Sequence, residues 1–336
     1  MKTFELFAGC GGLARGLELA GFEHAGLLEF APNACNSLRL NFDPSLVHEC
    51  DVRTMDFTKY RGLDMVSGGP PCQPFSLGGL ARANADKRDM FPEAARAVNE
   101  VCPRAFMFEN VKGLLRPKFR PYYEYIISRL SYPGIVKRED ESWEEHATRI
   151  REQAPRYRGV RYNVQYKLLN AVDYGVPQIR ERVFIVGIRS DIKQRWEWPK
   201  PITKDRLTQV TVRKALRGLP EPQSPANKIA DHVFQPGARP YPGHTGSTLD
   251  APSKTIKAGA HGVPGGENMI RYDDGSCRYM TIHEAKLIQS FPEGYKISGV
   301  WSEAMRQIGN AVPVKLAQAV GSQLRALLER DASDRR

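Results

Sequence analysis

The chain has no Cys-x-x-Cys pair: its six cysteines stand apart at positions 10, 35, 50, 72, 102 and 277. That scatter, with no histidine at metal-ligand spacing, suggests neither a zinc site nor a disulfide framework, so no metal is expected. No apolar run reaches the roughly 20 residues of a membrane span, and the opening "MKTFELFAGCGG" places Glu5 and glycines where a signal peptide needs uninterrupted apolar residues. The expectation is a soluble protein of the cytoplasm, associated with the nucleoid and without a membrane partner. Acidic residues are in deficit, 38 against 49 Lys and Arg, which leaves a formal charge of +11. A polyanionic partner fits that balance, although charge alone does not choose one. Internal repeats and low-complexity tracts are absent.

What is present is an alternation. The β-rich runs "KTFELF", "FEHAGLLEF", "DMVSGG" and "RAFMFEN" are separated by the helix-compatible "LARGLELA", "APNACNSLRLNF" and "FPEAARAVNEV". This rhythm predicts an α/β fold, with parallel strands covered by helices on both faces and functional loops at the carboxyl ends of the strands. Residues 137–161 turn strongly charged and read as a solvated surface helix followed by a loop. Strand-like runs return at "YNVQYKLLNAV" and "RVFIVGI". From about residue 190 prolines, glycines and basic residues dominate, with a helical pattern limited to "VTVRKALRGL". Regular helices resume with "TIHEAKLIQSF" and with "WSEAMRQIGNAVPVKLAQAVGSQLRALLER", whose apolar positions 312, 316, 320, 324 and 327/328 keep helical spacing. The expected division is 1–190, a smaller loop-rich unit over 191–275, and 276–336 packing back onto the first.

"FELFAGCGGLARG" sets Gly9, Gly11 and Gly12 between a strand and a helix, where glycine permits a sharp turn and close approach of a ligand. Gly9-x-Gly11-x-x-Ala14 satisfies a relaxed dinucleotide fingerprint, and Glu29 lies where an acid could bind ribose hydroxyls. Asp51, ending the next strand-like run, could accept a hydrogen bond from an adenine amino group. A nicotinamide enzyme, an adenosylmethionine enzyme and a plain tight turn all remain open here.

"GGPPCQPFS" follows the strand-like Met65-Val66. A cysteine near a strand end is more often a packing residue than a nucleophile. Here prolines 70, 71 and 74 impose a backbone that suits neither regular strand nor helix and can serve as a rigid mount for Cys72. Downstream, "FMFENV" brings Glu109 to the same sheet edge, and in "QIRERVF" the alternating Gln178, Arg180 and Arg182 are expected to share one strand face. A thiol, a carboxyl and such an arginine face together look like a site for an anion or carbonyl.

With these residues in view, the chain closely resembles the DNA (cytosine-5) methyltransferase family, of the bacterial restriction-modification type. The matching stretches are "FELFAGCGGLARGLELAGF", Glu29, "CDV", "GGPPCQPFS", "DMFPEAAR", "FMFENV", "QIRERVFIVGIR", "YMTIHEAKLIQSFPEGY" and "QIGNAVPVKLA", in the family's order. The resemblance implies a Rossmann-like catalytic domain that binds S-adenosyl-L-methionine, a small target-recognition domain over 191–275, and a hinge and returning helix over 276–336. It implies a cofactor site of Phe7, Gly9, Gly11, Gly12, Glu29, Asp51, Pro70, Met90 and Asn310, with Phe7 on adenine. It further implies Cys72 as nucleophile, Glu109 at N3 and the exocyclic amine of the base, Arg182 near O2 and Arg180 supporting. Gln73, Ser76, Lys254, Thr255, Lys257 and His261 would meet DNA, the last four within the glycine-rich "HTGSTLDAPSKTIKAGAHGVPGGENM".

Double-stranded DNA is thus the implied partner, with a cognate restriction endonuclease as a functional partner that need not touch the chain, and monomeric action as the default. His283 and Met90 depart from the family's usual residues, which bears on helix packing and adenine contact. A transfer-RNA cytosine methyltransferase would share the chemistry, but its usual Cys-Phe-Thr variant of the thiol motif is absent. A nicotinamide oxidoreductase leaves Pro-Pro-Cys-Gln unexplained, and a catalytically silent DNA-binding regulator has no need of Cys72 and Glu109 together.

Overall fold

A computed structural model describes residues 1–71, 89–203, 205–242, 244–258 and 268–334. Its centre is a seven-stranded sheet in the order β3-β2-β1-β4-β5-β7-β6. β1 (Lys2–Leu6), β2 (Glu23–Glu29), β3 (Val47–Glu49), β4 (Met65–Gly68) and β5 (Ala105–Val111) run parallel. Only β7 (Glu181–Arg189) reverses, antiparallel both to β5 and to β6 (Tyr162–Asn170), so that β6 runs in the direction of the first five. The short apolar runs form the strands because both faces are covered, which is where continuous apolar strands are stable; β5 is buried from Ala105 through Asn110.

One face packs against α3 (Phe91–Val101), α4 (Arg120–Ser131) and α5 (Trp143–Gln153), with Phe4, Val66, Phe106 and Phe108 meeting Phe91, Val98, Tyr122 and Ile126. On the other, α1 (Gly12–Leu19) and α9 (Val314–Asp334) bury Leu13, Leu17, Leu316, Val320, Leu324 and Leu328 against Met65, Met107 and Phe184. α2 (Pro32–Arg39) follows β2. The carboxyl-terminal helix thus rests on the amino-terminal one, and the close approach uses Gly16, where a Cβ would lie 2.4 Å from that of Ala317.

Beyond β7 come α6 (Val212–Ala215), a three-stranded sheet of β8 (Ser247–Thr248), β9 (Met269–Arg271) and β10 (Cys277–Tyr279), then α7 (Ile282–Ile288) and α8 (Trp301–Asn310). A separate apolar cluster of Val212, Ile256, Ile270, Met280, Ile288, Met305 and Ile308 holds this region together. Among the described residues no helix is long and apolar enough to cross a membrane.

Three sequence expectations change. The long carboxyl-terminal pattern is two helices, α8 and α9, separated at Ala311–Pro313, since proline cannot donate the bond that would continue α8. The charged segment does form the expected surface helix followed by a loop, but that helix is not solvated all round. α5 carries a capping box between Ser142 and Glu145, and it docks through His146 and Ile150, both buried. The Nδ1 of His146 meets the Tyr125 hydroxyl at 2.9 Å and its Nε2 lies 2.7 Å from the Ile135 carbonyl. Finally, Gln178 and Arg180 precede β7 rather than lie within it.

Candidate active site

Because β1 to β5 are parallel, the residues that follow them collect at one edge. There they line a cleft of about 740 Å³ with Phe7, Gly9, Glu29, Asp51, Pro70, Met90, Glu109, Arg182 and Asn310 among its walls. That volume suits a nucleotide-sized ligand.

At the β1–β2 end, the turn after β1 is strained: Phe7 has φ near +55°, rare for a bulky residue and typical of functional turns. Gly9, also at +55°, donates its N–H to Glu29 Oε2 at 2.7 Å, and among the described residues nothing lies within 4 Å of where its Cβ would be. The other Glu29 oxygen accepts the N–H groups of Phe30 and Ala31, both at 2.8 Å. Three backbone donors therefore aim this carboxylate before any ligand arrives. Gly12 lines the cleft, whereas Gly11 does not; its Cα faces the Tyr295 hydroxyl, so its smallness serves packing. Asp51 caps a turn by accepting from the Arg53 amide at 2.9 Å, and Arg53 beside it holds its carboxyl below the usual range.

Two cleft residues escaped the sequence reading. Phe30 stands 71% exposed at the rim, an aromatic surface free for stacking. Glu5 lies on the floor, and among the described residues its carboxyl oxygens make no hydrogen bond of good geometry, the Ala14 backbone being the nearest donor. Burial, opposed by the Ala14 backbone and reinforced by the charge of Glu29, holds its carboxyl well above the ordinary value. An orphaned buried acid facing a cleft fits a ligand that brings a positive group. Cys10, also in the wall, is buried, which pushes its thiol up to about 12 and away from the reactive thiolate form.

The β5–β7 end brings Glu109 and Arg182 together. In their register Val111 pairs with Arg182, so Glu109, two residues back, shares the arginine's face. Arg182 Nε meets Glu109 Oε1 at 2.7 Å, with both side chains nearly buried. Burial pushes the Glu109 carboxyl above its ordinary value, against the opposing pull of Arg182 and then Arg180. Next to them Asn110, which sequence reading left without a role, donates from Nδ2 to the Pro70 carbonyl at 2.9 Å and so fixes the exit of β4.

Arg180 does not line the cleft. Fully buried, it donates to the carbonyls of Ile256 at 2.9 Å, Gly309 at 2.6 Å and Ala311 at 3.1 Å. Gln178 accepts the Ile256 N–H at 3.0 Å and donates to Gln289 at the same distance. Together they tie the loop-rich region to the end of α8. Thr255 gives its hydroxyl to the Ile179 carbonyl at 2.7 Å, Lys254 reaches Thr245 at 2.9 Å, and Lys257 is exposed. Cys72, Gln73, Ser76 and His261 lie outside the described residues.

The parallel sheet with its reversed seventh strand, and a nucleotide-sized cleft at the carboxyl edge, define an α/β fold of the S-adenosylmethionine-dependent methyltransferase class. The sequence model for C-5 cytosine-specific DNA methylases matches residues 1–134 and 153–326, and the chain belongs to that family. It is 34% identical to the Type II methyltransferase M.NgoMIV of Neisseria gonorrhoeae, the match covering 98% of each chain. To the Type II methyltransferase M.AplI of Arthrospira platensis it is 30% identical, over 99% of this chain and 88% of the relative. A protein encoded within an E. coli prophage superposes with a TM-score of 0.69 at 22% identity, covering 98% of this chain and 99% of its own. The chain is accordingly a DNA (cytosine-5) methyltransferase, and the stretch that the family leaves unmatched, 135–152, contains most of α5.

Proposed function

We propose that the enzyme methylates C5 of a cytosine swung out of duplex DNA at a specific sequence, through a covalent bond between Cys72 and C6. The observation that supports this most strongly is the buried Glu109–Arg182 pair, set in the same cleft as the Gly9–Glu29 cradle. A carboxyl group raised by burial can share a proton at N3 of a pyrimidine, and the adjacent guanidinium can hold O2. Thiolate addition at C6 then drives ring electrons toward N3 and leaves C5 enamine-like. Once C5 has taken a methyl group, loss of the C5 proton to water and elimination of the Cys72 sulfur from C6 restore the ring.

S-adenosylmethionine, when bound, supplies an electrophilic sulfonium methyl. The residues present fit it: Glu29 for the ribose, Asp51 for the adenine amino group, Phe7 and Phe30 as aromatic surfaces, and Gly9, Gly12, Pro70, Met90 and Asn310 around them. Reaching C6 requires extrusion of the base, at a cost of a few kcal/mol. Basic and hydroxyl side chains at Lys254, Thr255 and Lys257, with Gln73, Ser76 and His261, are assigned to DNA contact. The enzyme acts as a monomer on double-stranded DNA in the cytoplasm, alongside a restriction endonuclease it need not touch.

Transfer of a tritiated methyl group to duplex DNA and to transfer RNA, followed by bisulfite sequencing, tests the reading. Label in duplex DNA at one sequence context, lost in Cys72→Ala, is expected. Label in transfer RNA alone, or normal turnover by Cys72→Ala, would refute it.

A further inference from the structure

Cys72 lies in the stretch between β4 and α3, and the described residues on either side of it, Pro71 and Asp89, are each held. The Met90 N–H donates to the Pro71 carbonyl at 3.1 Å, which draws the two ends together. Asp89 accepts the Phe91 N–H on Oδ1 at 3.1 Å and the hydroxyl of Tyr122, from α4, on Oδ2. One carboxylate therefore joins the start of α3 to α4, immediately before Met90 enters the cleft wall.

Tyr122 is itself braced by the inserted helix. Its ring meets Trp143, the first residue of α5, edge-on with centroids 5.3 Å apart, and Tyr125 lies 5.6 Å from it and 5.7 Å from Trp143. The hydrogen bonds of His146 to Tyr125 and to the Ile135 carbonyl fix α5 in turn. Edge-on and tilted ring contacts of this kind are favourable aromatic geometries, and a hydroxyl on a ring packed in this way offers its partner one geometry.

We infer that Tyr122 is a positioning residue for the methylation reaction, and that the insertion serves as its brace: through Asp89 the pair sets where the chain returning from Cys72 meets the cleft. The inference rests on Cys72 being the nucleophile. Catalysis with preorganised groups loses up to about a hundredfold for an ångström of displacement, so loss of this one contact is visible in the rate of the chemical step.

Tyr122→Phe removes a single oxygen and keeps the ring. Its single-turnover methyl-transfer rate is expected to fall about tenfold, with cofactor affinity changed less than about twofold and the unfolding midpoint nearly unmoved. Asp89→Asn is expected to lose as much, and the double variant no more than either alone, as residues acting through one contact must. Trp143→Phe keeps the rate, whereas Trp143→Ala loses it. A Tyr122→Phe enzyme at wild-type rate overturns the inference, as do multiplying losses in the double variant or a rate loss matched by equal loss of cofactor affinity. Covalent trapping on DNA containing 5-fluorocytosine separates the two levels. If the wild type traps and Tyr122→Phe traps just as fast, this inference alone fails; if the wild type does not trap, the nucleophile assignment fails.

Discussion

Arg182 and Glu109 meet at 2.7 Å across the antiparallel junction of β7 and β5. The contact exists because β7 reverses: in an all-parallel sheet the start of that strand would lie at the opposite edge. Removing either partner leaves the other buried and unpaired, so the conservative exchanges Glu109→Gln and Arg182→Lys are the informative ones. Each is expected to lower the single-turnover rate by about two to three orders of magnitude, the scale of a lost acid-base group. Cofactor affinity, read by calorimetry, is expected to hold within about threefold, since the Gly9–Glu29 cradle lies at the other end of the cleft.

Two of the cleft glycines, Gly9 and Gly12, separate ligand space from packing space. Among the described residues a Cβ on Gly9 meets nothing within 4 Å, whereas one on Gly12 falls 2.4 Å from the Val312 carbonyl. Gly9→Ala is expected to cost about 1–2 kcal/mol for its left-handed backbone and to weaken cofactor binding about tenfold or more by filling the cradle. Gly12→Ala is expected to lower the unfolding midpoint further, through the junction of α1 with the segment before α9. Denaturant unfolding and cofactor titration of both variants check the contrast.

Acid should loosen α5. Burial lowers the pKa of His146 from its ordinary 6.5, with Arg129 and Arg149 adding to the effect against the Ile135 carbonyl and Glu141. The unfolded chain therefore takes the proton first, and the stability His146 lends is present above about 6.5 and lost as pH falls below it. Arg149 holds Glu141 down, from 4.5 to about 2, so that pair contributes above the ordinary carboxylate value and fades as pH falls through about 2. Its contribution is on the order of 1 kcal/mol. Hydrogen exchange over 143–153, corrected for intrinsic rates, is expected to show less protection at pH 5 than at pH 8; equal protection would contradict this.

Much of the large sheet was legible because its apolar runs are short and bounded by polar residues or glycine: β1, β2 and β4 fall within the expected stretches, and β5 overruns its own by one residue, Val111. α4 was not, since Tyr122, Tyr123, Ile126 and Ile127 carry strand propensity and only tertiary packing makes them helical. α5 was taken for a solvated helix because charge dominates its composition, while two buried residues, His146 and Ile150, do the docking. At the site, the positions of Glu29, Asp51 and Glu109 at strand ends could be anticipated from pattern. The role of Arg180 could not: alternation placed it beside Arg182, but the strand starts at Glu181 and the side chain turns to three carbonyls remote in sequence. Glu5 and Phe30 were overlooked because a strand acid and a strand-end aromatic have no distinguishing spacing.

The bond between Cys72 and the cytosine ring is tested most directly by replacing the C5 hydrogen of the target with fluorine, which cannot leave as a proton. Incubated with S-adenosylmethionine and duplex DNA carrying 5-fluorocytosine in its verified recognition sequence, the wild-type enzyme is expected to form a denaturant-resistant adduct that maps to Cys72 and is absent in Cys72→Ala. A wild-type enzyme that methylates ordinary DNA yet yields no such adduct, or one that maps to another residue, would contradict the account.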